Sequence, residues 1–302
     1  MPRRVLRPDG PLALGLTLGP LLRGSGDPTM RLGPREGWRA WRTPDGPATL
    51  RLAWDAGELV AEAWGPGAGA ALDAAPGLAG LEDRPDLLVA AHPVLRDLQR
   101  RLAGVRLTRT SSVLDVLVPA VAEQRIVGKE ARRIHRVMVL AHGEPAPGPG
   151  GLMLPPAPGV LAALPYHAFH PLGLERRRAE VIRAAASRSR SLEALAGARD
   201  PAGWSAARAA LRTLPGVGPW TAAEVARLGL GDPDAVSVGD FHLPNLVSWA
   251  LAGEPRGTDE RMLELLEPYR GQRGRVQRLL EAGGITAPRF GPRRPLRSIA
   301  RQ

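Results

Sequence analysis

Residues 211–223 read Leu-Arg-Thr-Leu-Pro-Gly-Val-Gly-Pro-Trp-Thr-Ala-Ala, and they are the most informative part of the chain for predicting its fold. It predicts a helix that ends near Thr213, a Gly-x-Gly turn, and a second helix whose first turn holds Pro219. Proline suits that first turn because the N–H that it lacks has no partner there. Residues 202–228 are therefore predicted to form two helices joined by a tight hairpin.

The hairpin glycines, Gly216 and Gly218, indicate a binding site made of backbone. Glycine can adopt positive φ and leaves its amide uncovered. Free amides beside a helix N-terminus can bind a DNA phosphate oxygen without any side-chain charge. The alternative interpretation is a tight helix–helix corner with no ligand.

The composition restricts the chemistry that is available. The chain has 302 residues, with 41 Lys plus Arg against 30 Asp plus Glu, so its formal charge of +11 predicts acidic partners. It contains no cysteine, which excludes disulfides, zinc–thiolate sites, iron–sulfur clusters and cysteine nucleophiles. Lys129 is the only lysine, and so the only side chain that could form a Schiff base.

The apolar stretch at residues 11–22 superficially resembles a signal peptide. Glycines and a Gly-Pro pair interrupt it, and it is shorter than the roughly 20 residues of a membrane span. We therefore expect a cytoplasmic, nucleoid-associated protein without membrane contact.

Patterning predicts an α+β fold. Leucines alternate at positions 12, 14, 16 and 18, and residues 48–54 and 58–64 alternate on either side of a turn at 55–57, which predicts an antiparallel β-rich domain with helices over residues 1–92. Residues 93–283 are predicted to be an all-helical core, and residues 284–302 a basic tail. Helices are expected near 113–118, where Pro119 should bend or end the helix, and at 128–142, 174–186, 204–211, 220–228, 243–251 and 259–267.

A second informative stretch, residues 237–244, reads Ser-Val-Gly-Asp-Phe-His-Leu-Pro. Asp240 follows a loop and directly precedes an apolar helix, so taken alone it would be a helix N-cap. It also lies about two dozen residues after Gly216, the first glycine of the hairpin.

With the hairpin and this aspartate, the sequence resembles the helix-hairpin-helix DNA glycosylases, in the alkylation-repair branch typified by DNA-3-methyladenine glycosylase II. The resemblance covers roughly residues 10–283, with supporting matches at 122–124 and 173–180. It implies a base excision repair enzyme that flips an alkylated purine out of DNA and releases it. We expect a monomer that binds double-stranded DNA containing damaged bases and holds neither a cofactor nor a metal.

The resemblance assigns catalysis to Asp240. Cleaving an N-glycosidic bond builds positive charge on the sugar, and a carboxylate near C1′ stabilises that charge and can orient or deprotonate the attacking water. Alkylated purines already carry positive charge and leave easily, so one carboxylate can suffice. Lyase-type relatives carry a Schiff-base lysine where Trp220 stands here, which implies a monofunctional enzyme that leaves the abasic site uncut.

Pocket positions follow from the same resemblance. Trp220, Phe241 and Tyr269 match residues that line the base pocket, with core packing as the alternative for each. Two positions depart from the family pattern, since Pro20 and Glu224 replace pocket aromatics. Glu224 would attract a cationic base, and the alternative is a surface glutamate paired with Arg227 or Arg208.

DNA contacts are expected from the hairpin and from a polar turn at 122–127. Arg125 stands where the family places an apolar wedge, and a guanidinium can stack in the gap left by a flipped base. The full set of expected DNA-binding residues is Gln124, Arg125, Leu214, Gly216, Val217, Gly218 and Thr221.

Two other functions fit the same sequence. One is a non-catalytic DNA-binding or lesion-sensing protein that uses the same hairpin, and the other is a glycosylase for deaminated or otherwise neutral bases.

Overall fold

The computed structural model describes residues 1–288. The tail arginines Arg289, Arg293, Arg294, Arg297 and Arg301 lie outside the described residues, and the domain boundaries stay predictions. Within residues 1–288 no helix combines the length and the apolar character needed to span a bilayer.

Five strands form an antiparallel sheet near the N-terminus, in the order β1-β5-β4-β3-β2. They are β1 (Arg3–Leu6), β2 (Met30–Leu32), β3 (Glu36–Thr43), β4 (Gly46–Asp55) and β5 (Glu58–Trp64). A two-stranded ribbon follows later in the chain, made of β6 (Glu144–Pro145) and β7 (Met153–Leu154), so the prediction that residues 93–283 are all helical is wrong at this point.

Helices make up most of the rest. They are α1 (Leu14–Leu18), α2 (Ala68–Leu78), α3 (Pro93–Arg101), α4 (Leu114–Glu123), α5 (Gly128–His142), α6 (Pro158–Ala163), α7 (Tyr166–Phe169), α8 (Arg176–Ser187), α9 (Ser189–Glu193), α10 (Pro201–Leu211), α11 (Pro219–Val225), α12 (Leu243–Ala252), α13 (Asp259–Leu266) and α14 (Arg273–Ala282). Short 3₁₀ turns occur at Gly19–Leu21, Pro85–Leu87, His170–Leu172, Ala194–Gly197 and Glu267–Tyr269, and α11 continues as a π-helix over Ala226–Leu230. The predicted α+β fold is confirmed.

The β4–β5 hairpin is confirmed as predicted. Asp55 pairs with Glu58 across a two-residue turn, in which Ala56 and Gly57 have φ of 47° and 84°. Positive φ at both positions gives the turn a twist that matches the flanking strands.

The alternating leucines near the N-terminus do not form a strand, so that part of the β prediction is wrong. Three of them belong to α1, where Leu14 and Leu18 are buried and Leu16 is 44% exposed, and Leu12 precedes that helix. Burial at positions four apart is the helical period, and leucine at every second position satisfies it as well as it satisfies a strand. Tertiary packing therefore decides between the two.

Pro119 was predicted to bend or end its helix early, and the second alternative is wrong, because α4 runs through it to Glu123. Pro119 gives up one intrahelical hydrogen bond. Eight of the ten residues of α4 are buried, so packing in the core outweighs that loss. The start of α4 is capped from a distance by Glu193, whose carboxylate accepts hydrogen bonds from the N–H of Val113 (2.8 Å) and Leu114 (2.9 Å).

Two apolar clusters meet beside the predicted catalytic aspartate. The larger one joins the sheet, through residues such as Leu50, to α4, α8, α10 and α11. The smaller one joins α3, α12, α13 and α14, and includes Val247. Ala235 belongs to the first cluster and Val236 to the second, so the loop that leads to Asp240 crosses their boundary.

Candidate functional site

The hairpin between α10 and α11 has the predicted shape, with one difference. Gly216 has φ of +89°, but Gly218 is extended at φ −92° and ψ −177°, so the expectation of positive φ is wrong for Gly218. A Cβ on Gly216 would overlap Val181 Cγ2, whereas a Cβ on Gly218 would point into open space. Gly216 is therefore needed for packing, and Gly218 faces outward.

Hairpin amides remain available for a ligand. The first bond of the second helix runs from the N–H of Ala222 to Gly218 O, so the amides of Trp220 and Thr221 lie before the first intrahelical bond. Within residues 1–288 the N–H groups of Gly216 and Gly218 make no hydrogen bond to another residue. The hairpin can therefore present several donors to one anion.

Leu214 and Val217 anchor the hairpin instead of reaching outward. Their side chains are buried in the larger apolar cluster, and the N–H of Val217 donates to Leu214 O at 3.0 Å. The prediction that both contact DNA can hold only for their backbone atoms.

Gln124 connects the turn after α4 to the hairpin. Its Nε2 donates to Gly216 O at 3.0 Å and to the buried Thr221 Oγ1 at 2.9 Å. The following residue, Arg125, is exposed and has φ of 60°, so a left-handed turn directs it away from α4. Hydrogen bonds thus connect three residues that were predicted separately to bind DNA, namely Gln124, Gly216 and Thr221.

Arg178 fixes the position of this turn from behind. Its Nη1 donates to Ala122 O at 2.7 Å, near the end of α4, and burial lowers the pKa of the guanidinium. Arg178 is therefore a structural residue of the α4–α8 contact, whereas Arg177 beside it is exposed.

Asp240 is both a cap and a contact of Trp220. Its Oδ1 accepts hydrogen bonds from the N–H of His242 (2.7 Å) and Leu243 (2.9 Å) at the start of α12. Its Oδ2 accepts one from Trp220 Nε1 at 3.2 Å. The carboxylate thus caps the start of α12, although the N-cap residue is His242 and not Asp240 as interpreted, and its other oxygen is directed towards the first turn of α11, beside the hairpin.

The other two predicted pocket aromatics differ in placement. Phe241 is 81% exposed, and its ring lies edge-on to that of His242 at 4.9 Å. Tyr269 is buried in the smaller apolar cluster, and its hydroxyl accepts a hydrogen bond from the N–H of His92 at 3.3 Å. Phe241 is thus free to receive a base, and the placement of Tyr269 agrees with core packing.

Glu224 is paired, so the interpretation of it as an unpaired pocket carboxylate is not supported. It accepts a hydrogen bond from Arg227 Nη2 at 3.2 Å and another from Ser237 Oγ. Its side chain is 14% exposed, so this is not a surface pair either. Burial opposes the charge of Arg227, but Glu224 and Glu281 together raise its pKa.

Several residues that support the loop carrying Asp240 were missed in the sequence. Both carboxylate oxygens of Asp259 accept the N–H of Gly239, at 3.1 and 3.0 Å, and Gly239 has φ of +90°. Ser237 Oγ accepts a hydrogen bond from Gln277 Nε2 at 3.3 Å and donates one to Glu224 Oε1. The only sequence signal at Asp259 was that of a helix start, which gives no hint of a partner 20 residues away.

A surface pocket of about 320 Å³ lies on a different side of α11. Its walls include Ala222, Ala223, Val236 and Val238, with Arg212 at the rim, and neither Trp220 nor Asp240 contributes to it. Asp240 and Trp220 are half-buried and lie outside this pocket.

Replacing Gly216 by Ala should lower the free energy of unfolding by about 2 kcal/mol or more, because the left-handed φ costs an L residue about 1–2 kcal/mol and the new Cβ overlaps Val181. Gly218→Ala is the matched control and should change it by less than about 0.5 kcal/mol. Urea denaturation measures both. Equal stability of the two variants would show that the hairpin geometry described here is wrong.

No family model matches the chain. Two relatives from Mycobacterium tuberculosis, strains CDC 1551 / Oshkosh and ATCC 25618 / H37Rv, are each named "Probable bifunctional transcriptional activator/DNA repair enzyme AlkA". Each is 33% identical over 169 residues, which is 54% of this chain and 33% of the relative. The chain thus matches about a third of the length of these relatives.

Solved structures share the fold over most of the chain. A 3-methyladenine DNA-glycosylase from Archaeoglobus fulgidus superposes with a TM-score of 0.77 at 19% identity, covering 92% of this chain and 97% of that one. A structure titled MBOgg1 in complex with a low-affinity DNA ligand gives 0.70 at 17% identity, covering 93% and 94%. The chain thus shares the fold of these glycosylase structures, and over 169 residues its sequence is similar to that of the two M. tuberculosis relatives.

Proposed function

We propose that the protein is a monofunctional DNA glycosylase that excises alkylated purines of the 3-methyladenine type. The observation that carries the proposal is the hydrogen bond between Asp240 Oδ2 and Trp220 Nε1, which places a carboxylate next to the hairpin. The names of the M. tuberculosis relatives and of the A. fulgidus structure support the same chemistry.

The hairpin would hold the duplex through its free amides. Gly216, Gly218 and the first turn of α11 present N–H groups that suit a phosphate oxygen, and such contacts position DNA without reading its sequence. The charge of +11 favours this binding at every duplex sequence.

Asp240 would act on the sugar of the flipped nucleotide. Two backbone N–H groups and the Trp220 indole hold its carboxylate in place, so it needs little reorganisation when positive charge develops at C1′. The same carboxylate can orient or deprotonate the water that attacks C1′. The N-glycosidic bond breaks with its electron pair going to the purine, and water supplies the oxygen of the new C1′ hydroxyl.

Trp220 and Phe241 would receive the extruded base. Flipping costs a few kcal/mol of stacking, and this cost is smallest for damaged bases. A cationic purine against an aromatic face regains about 0.5–2 kcal/mol. Phe241 is exposed beside Asp240 and therefore accessible to the base before any rearrangement.

Strand cleavage tests the monofunctional assignment. Methylated duplex treated with the protein should break only after hot alkali, and sodium borohydride should trap no protein–DNA adduct, because Trp220 and not a lysine stands beside Asp240. A Lys129→Ala variant should give the same pattern of strand breaks as the wild type, because Lys129, the only lysine, lies in α5 and not at the position of Trp220 beside Asp240. Strand breaks without alkali that Lys129→Ala abolishes would contradict the assignment.

Replacing Arg125 by Ala should reduce excision from duplex DNA more than excision from a single strand. Arg125 is exposed at a left-handed turn joined to the hairpin through Gln124, so its guanidinium is placed to fill the gap left by the flipped base. A single strand has no paired stack, so a base that leaves it opens no gap for the guanidinium to fill. Excision rates measured in parallel on both substrates test this prediction, and equal losses of rate would count against insertion of Arg125 into the duplex.

A further inference from the structure

A row of basic side chains continues from Arg125 along α5. Lys129, Arg132 and Arg136 follow it at intervals of four, three and four residues, which places them on one face of the helix. All four are exposed. We call Lys129, Arg132 and Arg136 the α5 basic row.

The charge of this row is not neutralised within the protein. Arg133, on a neighbouring face, pairs with Glu130 and also donates to Leu172 O at 3.0 Å. Within residues 1–288 the α5 basic row makes neither an ion pair nor a hydrogen bond through its side chains. The one acidic residue of the helix thus pairs with Arg133, and the α5 basic row remains available to an external anion.

The two arginines of the row lie across a glycine loop. A Cβ on Gly24 would be 2.6 Å from Arg132 Cδ, and a Cβ on Gly26 would be 2.6 Å from Arg136 Nη1. Both glycines therefore leave room for the arginine side chains. Arg132 Nη1 also lies near Gly128, so its guanidinium points back towards the start of α5.

This loop is anchored to the wedge turn. Arg23 Nη1 binds Glu123 at 2.9 Å, one residue before Gln124, which binds the hairpin. On its other side Asp27 accepts the N–H of Arg23 at 2.8 Å and pairs with His135 of α5. The loop, the row and the hairpin therefore form one connected surface.

We propose that the α5 basic row is a second phosphate-binding site, which holds duplex backbone beyond the lesion. From Lys129 to Arg136 the helix rises about 10 Å, at about 1.5 Å per residue, and this length spans about three phosphates at about 3.4 Å of axis per strand. The choice of DNA as the partner rests on the proposed function. The row adds affinity and extends the binding footprint, and it takes no part in bond cleavage.

The test is the salt dependence of binding to undamaged duplex. A triple variant, Lys129→Gln with Arg132→Gln and Arg136→Gln, retains side-chain stems over Gly24 and Gly26 while it removes three charges. The slope of log K against log salt should become shallower by about 2–3, because each neutralised phosphate contributes about 0.9. The loss of affinity should be the same for methylated and unmethylated duplex.

The matched control removes the same charge elsewhere. Arg3, Arg188 and Arg190 are exposed, and the last two lie at the start of α9, whose Glu193 caps the end of α4 opposite to the wedge turn. Their triple glutamine variant should keep the wild-type slope. An equal change in both variants, or none in the α5 variant, would overturn the proposal.

Excision separates this proposal from the proposed function. At saturating protein, the α5 variant should retain the wild-type single-turnover rate, because only binding is altered. If neither the wild type nor the α5 variant excises any base but the slope of log K against log salt still changes, phosphate binding by the α5 basic row is supported and the glycosylase assignment fails. If excision is normal and the slope is unchanged, only the row is excluded.

Discussion

Replacing Asp240 by Asn should lower the single-turnover rate of 3-methyladenine excision about a thousandfold or more, whereas duplex affinity should change by no more than a few fold. The asparagine side-chain oxygen can still accept the N–H groups of His242 and Leu243, which preserves the start of α12. Its amide nitrogen has no negative charge for the sugar and cannot accept from Trp220 Nε1. The variant thus loses the negative charge proposed for catalysis but keeps the structure of the loop.

Stability measurements separate that chemical effect from misfolding. Asp240→Ala loses both backbone contacts and should lower the free energy of unfolding by about 1 kcal/mol, as for other helix caps. Asp240→Asn should leave the free energy of unfolding unchanged. If Asp240→Asn excises at close to the wild-type rate, another group supplies the charge stabilisation.

Replacing Gly218 by Asp should weaken binding to all duplex sequences by about tenfold or more, because a carboxylate would stand where the hairpin amides are proposed to hold a phosphate. Gly218 has an extended backbone and open space at its Cβ, so the fold should tolerate the change. Gly218→Ala adds the Cβ without the charge and is the matched control. Titration of fluorescent duplex measures both, and equal affinities for the two variants would leave the hairpin as a corner without a ligand.

The sequence was most informative where local rules act alone. The limits of α5 were predicted to the residue, since its period and its flanking turn lie in one continuous segment. Five of the expected site residues were named without knowledge of their contacts. Hydrogen bonds join Gln124 to Gly216 and Thr221, and a separate one joins Trp220 to Asp240. The residue types and spacing of a site can thus be read before its geometry is known.

Prediction failed where the outcome depends on distant partners. The leucines of α1 fit a strand and a helix equally, and burial of Leu14 and Leu18 selects the helix. Glu224 looked available for a base until the structure paired it with the buried Arg227. Asp259 holds Gly239 across 20 residues of chain, and local sequence carries no signal for such a contact.

The most direct test of the account is the identity of the base that the protein releases. Methylated duplex DNA would be incubated with wild type and with Asp240→Asn, and the free bases separated by chromatography. We expect wild type to release 3-methyladenine and the variant to release no more than spontaneous loss without protein. If both proteins bind the duplex and neither releases a base above that background, the account is wrong, and the chain is a lesion-sensing protein with a glycosylase fold.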